Sequence, residues 1–129
     1  MVISDTLLDE LERKAKESPR LRTNLCLHQS QLDNIQKMIN VLLPGTEMHI
    51  HRHLKSDETL ILLRGKIVII YFDENGEESK RIHLKRQDNY AIDIPRGQWH
   101  NIIVSEPVAL FEIKEGPYRA LLENEIKQL

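Results

Sequence analysis

Between Leu21 and Lys114 the chain reads as seven to nine short segments of strand length separated by turn residues, with no helical run among them. The segments are Leu21–His28, Ile35–Leu43, the stretch around His51, Thr59–Leu63, Lys66–Phe72, Ser79–Leu84, Tyr90–Ile94, Trp99–Val104 and Val108–Lys114. Asp73-Glu74-Asn75-Gly76 is the clearest hairpin signal, because Asn-Gly accepts the positive φ angles of a two-residue turn. Arg64-Gly65 reads as a second tight hairpin, and Pro44-Gly45 as a bend. A succession of this kind can bury its apolar faces only in an antiparallel sandwich or barrel, so the class is all-β.

The two ends read differently. Ser4 or Asp5 can cap a helix running to about Lys16, with Leu7, Leu8, Leu11 and Ala15 on one face, and Ser18-Pro19 stops it. Leu121, Leu122, Ile126 and Leu129 recur at near-helical spacing and predict a short C-terminal helix. One domain over residues 1–129 follows: a helical extension over 1–19, a β-barrel over 20–118 and a C-terminal helix over 119–129.

Composition narrows the partners. A net charge of −2 gives no global attraction to nucleic acid or to an anionic membrane surface. The lone Cys26, between Leu25 and Leu27, reads as a small buried hydrophobe and suits a reducing compartment. The start of the chain lacks the basic-then-apolar pattern of a leader, and the longest apolar run, Ile67–Phe72, is far too short to span a bilayer. A soluble, cytoplasmic protein is expected.

The chemistry concentrates between Gly45 and Gly65. His51 and His53 lie two apart and share a strand face, and Glu58 opens an apolar run that can lie beside theirs. His100 is a fourth donor from a distant segment. Imidazoles and a carboxylate facing one cavity make a site for a divalent transition metal, whether Fe, Mn, Ni, Co or Zn, and affinity alone does not choose among them. His49 has the parity of the other two histidines and is a candidate proton carrier near the rim, whereas Arg52 points the other way. In the last strand Glu112 and Lys114 share one face and Phe111 and Ile113 the other. The charged pair faces water if the outer surface is bare and the lumen if that surface is covered. Facing the lumen, Glu112 can act as acid or base and Lys114 can hold an anionic group. Arg64 is a weaker candidate for the same task. The cluster Lys80, Arg81, Lys85 and Arg86 reads as a solvated face.

These residues carry a resemblance. Gly45, His51, His53, Glu58 and Gly65 meet every anchor of G-x5-H-x-H-x4-E-x6-G, and Pro95, Gly97 and His100 meet P-x-G-x-x-H. These are the two motifs of the cupins, although Asn89 stands where the second motif opens with Gly and Val104 where it closes with Asn. The chain resembles the WbuC-type cupin-fold metalloproteins in particular. That likeness shows in Ser18-Pro19-Arg20-Leu21-Arg22, Asn24, His28, Pro44-Gly45-Thr46, Leu63-Arg64-Gly65 and Phe111–Tyr118. The resemblance implies a double-stranded β-helix, or jelly roll, holding one metal on His51, His53, Glu58 and His100. It also implies roles near the site for His28, Glu112, Lys114 and Tyr118, and association as a homodimer. The family's setting implies an enzyme acting on a sugar or nucleotide-sugar in bacterial surface-polysaccharide synthesis, with an isomerase or epimerase as the concrete form. An Fe(II)-dependent oxygenase and a non-catalytic module that binds or senses a small ligand are the alternatives.

Overall fold

The computed structural model describes residues 1–127. Helix α1 (Asp5–Glu17) precedes β1 (Arg22–Cys26), β2 (Ile35–Leu42), β3 (Ile50–His51), β4 (Glu58–Arg64) and β5 (Lys66–Phe72). Next come β6 (Glu78–Lys85), β7 (Ala91–Ile94), β8 (Trp99–Ile103), β9 (Val108–Glu115) and, at the end, β10 (Ile126–Lys127). They form two five-stranded antiparallel sheets, in the orders β1-β2-β9-β4-β7 and β10-β3-β8-β5-β6. This is a jelly-roll barrel carrying one α-helix. Among the described residues no helix is long and apolar enough to cross a membrane.

Strand alternation sorts the side chains into two cores. Leu42, Leu60, Leu62 and Leu110 from the first sheet meet Ile67, Ile69 and Leu84 from the second and fill the space between them. The outer face of the first sheet is covered by α1, whose Leu8, Leu11 and Ala15 pack on Ile39, Val41, Leu43 and Ala109, with Phe111 alongside. Burying a leucine in this way contributes about 2 kcal/mol. Ser4 caps the helix by accepting from the Leu7 N–H, and Arg64 ties it to the barrel through Asp9 at 2.8 Å and Asp5 at 3.4 Å. Because α1 claims the outward residues of β9, the intervening Glu112 and Lys114 face inward.

Three expectations are corrected. Residues 119–127 form no α-helix: a single 3-10 turn at Glu123–Glu125 leads into β10, where Ile126 pairs with His51 and Lys127 with Ile50. Completing the open edge of β3 outweighs a weak helical periodicity. The remainder of the expected helix, residues 128–129, lies outside the described residues. Arg64-Gly65 is not a hairpin, since β4 and β5 belong to different sheets. It is a corner at which Gly65 takes φ +80°, and a Cβ there would collide with the Pro107 carbonyl oxygen. Only glycine fits such a corner. Cys26 is exposed rather than buried, because it lies on the edge strand β1 with the parity of Arg22 and Asn24, while Leu25 takes the side packed toward α1. The Asn75-Gly76 hairpin between β5 and β6 forms as expected.

Candidate metal centre

β3 and β8 are neighbours in the second sheet, and their register sets His51 directly opposite His100. His53 follows two residues after His51, past the end of β3, in a loop whose backbone is held by Gly97 N–H donating to the His53 carbonyl at 2.8 Å. The side-chain donor atoms of His51, His53 and His100 all lie within 4.8 Å of one another, and this cluster could hold a metal ion. Glu58 does not arrive from a strand beside β3. It opens β4 in the opposite sheet and reaches across the barrel, placing Oε2 at 3.0 Å from His53 Nε2 and Oε1 at 3.8 Å from His100 Nε2.

The donor chemistry fits a cation. The Nδ1 atoms of His51 and His100 each lie 2.9 Å from a backbone carbonyl, of His49 and Gln98 respectively. A carbonyl oxygen only accepts, so each Nδ1 carries the proton and each Nε2 keeps a free lone pair. His100 Nε2 is buried without a hydrogen-bond partner. An orphaned acceptor of this kind costs stability unless something electron-poor meets it. Burial lowers the His51 pKa to about 4, with the nearby His100 acting in the same direction, so its imidazole is neutral at pH 7. Burial also lowers that of His100. For Glu58 burial pushes upward, but the His53 hydrogen bond and the electrostatic pull of the neighbouring histidines and Lys114 outweigh it and lower the pKa to about 2, so the carboxyl is ionised. A neutral His51 imidazole and an ionised Glu58 carboxylate are protonation states that metal coordination requires.

The cavity above these donors holds about 260 Å³. Its walls include Glu112, Lys114, Arg22, Asn24 and Asn40, with Tyr118 at the mouth. Asn40 Nδ2 donates to Glu112 Oε1 at 3.2 Å, and Lys114 Nζ stands 3.8 Å from Glu112 Oε2. Burial and the charge of Glu58 raise the Glu112 pKa to about 7, against the pull of Lys114. A carboxyl that titrates near neutrality beside a metal-binding cluster can both take and give a proton.

Other sequence candidates fall elsewhere. His49 precedes β3, so strand parity does not govern it; its ring lines an outer cleft and only its carbonyl serves the cluster, by fixing His51. Arg64 points at α1, where it is occupied by acidic residues. His28 is bound to the backbone of Lys37 through Nδ1 and lines no part of the metal cavity. Arg52 stacks on Trp99, 4.2 Å from the ring centroid, and holds the C-terminal segment through the Asn124 carbonyl. The wall residues outside the functional reading of the sequence include Asn40, Met38, Met48 and Ile102. Asn40 left a trace, being a polar residue in an otherwise apolar alternation from Ile39 to Leu43.

The fold has close counterparts. The TT1209 protein from Thermus thermophilus superposes with a TM-score of 0.62 at 23% identity, covering 89% of this chain and 97% of that one. A cupin superfamily protein from Desulfitobacterium hafniense gives 0.59 at 19% identity, covering 73% of this chain and 76% of its own. The capsular polysaccharide assembling protein CapF from Staphylococcus aureus gives 0.59 at 20% identity over 75% of this chain, which spans only 30% of CapF. At these identities the likeness is one of fold, and the fold is that of the cupins. No protein of curated function matches the sequence. Residues 3–84 match the family described as a domain of unknown function, DUF6016, and the match extends over more than half of the chain. The chain is a member of the DUF6016 family, built on a cupin barrel.

Proposed function

We propose that this protein is a metal-dependent enzyme of the WbuC type that moves a proton on a small sugar or nucleotide-sugar, as an isomerase or epimerase of bacterial surface-polysaccharide synthesis. The observation that carries the reading is the placement of Glu112, a buried carboxyl whose pKa burial raises, in the cavity that His51, His53 and Glu58 also line. His51, His53, Glu58 and His100 would hold one divalent ion, which supplies Lewis-acid polarisation of a carbonyl or of adjacent hydroxyls. Glu112 would take a proton from the carbon next to a substrate carbonyl and deliver it to the neighbouring carbon as carbonyl and hydroxyl exchange places, with Asn40 fixing one of its carboxyl oxygens. Lys114 offers a cation to a negatively charged or hydroxyl-rich substrate, and Tyr118 bounds it at the mouth. The name of CapF, a capsular polysaccharide assembling protein on the same fold, supports the sugar reading. A cytoplasmic homodimer completes the proposal.

Proton transfer to carbon has a direct test. The metal-loaded protein is incubated in D2O with nucleotide-sugars and keto-sugars, and deuterium entry at carbon is followed by NMR. Metal-dependent exchange that Glu112→Gln abolishes is the expected result. Exchange absent from every sugar tried, or undiminished in Glu112→Gln, refutes the proposal. Bound iron together with oxygen consumption would move the reading to an oxygenase.

A further inference from the structure

Outside the metal cavity lies a larger cleft of about 680 Å³, between the start of β1, the loop before β3 and the strand β8. Arg20, Arg22 and His49 line it on one side and Asn101 and Ile102 on the other. It adjoins the metal cavity, since Arg22, Met48 and Ile102 wall both. Arg22 Nη1 donates to the Glu47 carbonyl at 2.7 Å, which anchors the guanidinium while leaving its other N–H groups available. Five other arginines, Arg13, Arg52, Arg64, Arg81 and Arg96, each have a carboxylate within 4 Å, whereas Arg86 donates to the Leu63 carbonyl. Neither Arg20 nor Arg22 forms such a pair among the described residues. In a chain of net charge −2, two guanidinium groups without a carboxylate partner share one concavity beside the cavity of the candidate metal centre. Glu47 also lines the cleft, so the two arginines face at most one carboxylate there.

We infer that the Arg20–Arg22 cleft is a phosphoryl-binding subsite, which makes the substrate a phosphorylated polyol whose uncharged end reaches the histidine cluster. The planar fork of a guanidinium matches phosphate oxygens in pairs, and two forks in one cleft exceed what a single carboxylate needs. The inference rests on the proposed function for its polyol end, but not for its phosphoryl end, which the arginines hold without metal.

The test uses the full chain, metal-free and metal-loaded, titrated with glucose 1-phosphate, glucose and glucuronate and followed by NMR. Glucose 1-phosphate is expected to bind about tenfold or more tightly than glucose in both forms, and about tenfold more weakly to Arg20→Gln/Arg22→Gln, whose metal content stays unchanged. If loss of the Arg22–Glu47 contact unfolds the double variant, Arg20→Gln alone is expected to weaken binding about threefold or more. Equal affinity of wild type and the arginine variants for glucose 1-phosphate overturns the inference, as does glucuronate binding as tightly as the phosphate. Phosphate binding that persists while no sugar exchanges deuterium leaves this subsite standing and removes only the enzymatic reading.

Discussion

His51 and His100 stand opposite one another on adjacent strands with ring centroids 4.3 Å apart, each with Nδ1 held by a backbone carbonyl so that Nε2 is left free for the donor cluster. Rings held this way are poor bases. An unfolded chain protonates the His51 position near pH 6.5, whereas the folded metal-free chain does so only near pH 4. Between these values the unfolded state binds more protons, so stability falls as the pH is lowered through the window. The metal-free protein is expected to lose up to about 3 kcal/mol from this ring between pH 6.5 and 4. Urea unfolding at several pH values measures it, and His51→Gln should flatten the slope.

Glu112 works in the opposite direction. Its carboxyl keeps its proton to about pH 7 in the folded chain but only to 4.5 when unfolded, so its buried charge costs stability as the pH rises through that range. Metal-free Glu112→Gln is expected to be about 1–3 kcal/mol more stable than wild type at about pH 8 and indistinguishable from it at about pH 4.5. Turnover should fall about a hundredfold or more. Paired denaturation curves at the two pH values check the first statement, and the deuterium-exchange rate checks the second.

Arg64 and Leu11 separate scaffold from site. Arg64→Ala removes the ion pairs to α1 at the barrel surface, at a cost of about 1 kcal/mol. Leu11→Ala opens a hole beneath the helix and costs about 2–4 kcal/mol. Both variants should keep wild-type metal content, as measured by elemental analysis beside a thermal melt.

Glu125 links the end of the chain to the cluster. Its Oε2 accepts from the Leu54 N–H at 2.9 Å, one residue beyond His53, and its backbone carbonyl accepts from Arg52 N–H at 2.9 Å. Glu125→Ala frees the loop that carries His53 and is expected to weaken metal affinity about tenfold, in the range of other outer partners of metal ligands. Competition with a chromophoric chelator reads this directly, and Glu125→Gln should recover part of the loss.

The strand series, the N-terminal helix and the spacing of His51, His53, Glu58 and His100 were legible because they depend on local pattern. Alternation placed Leu60 and Leu62 on the face of Glu58, and they do lie together in the barrel core. Pairing between distant strands was not legible. Nothing near Gly65 tells a hairpin from a corner, since the deciding contact is the carbonyl of Pro107. The same limit hid β10, whose pairing with β3 depends on an open edge made by a two-residue strand. His49 shows how parity fails: the alternation of His49, His51 and His53 holds only while the strand lasts, and β3 covers Ile50–His51 alone. Glu112 and Lys114 were ambiguous for a related reason, because their facing depends on whether something covers Phe111, and α1 does.

The account turns on a metal held by His51, His53, His100 and Glu58. Elemental analysis of protein purified without a histidine tag or chelator, beside His51→Ala/His53→Ala, tests it most directly. About one divalent transition metal per chain in the wild type, and little or none in the variant, is the expected result. A folded wild type without metal, or a variant with undiminished metal content, would contradict it.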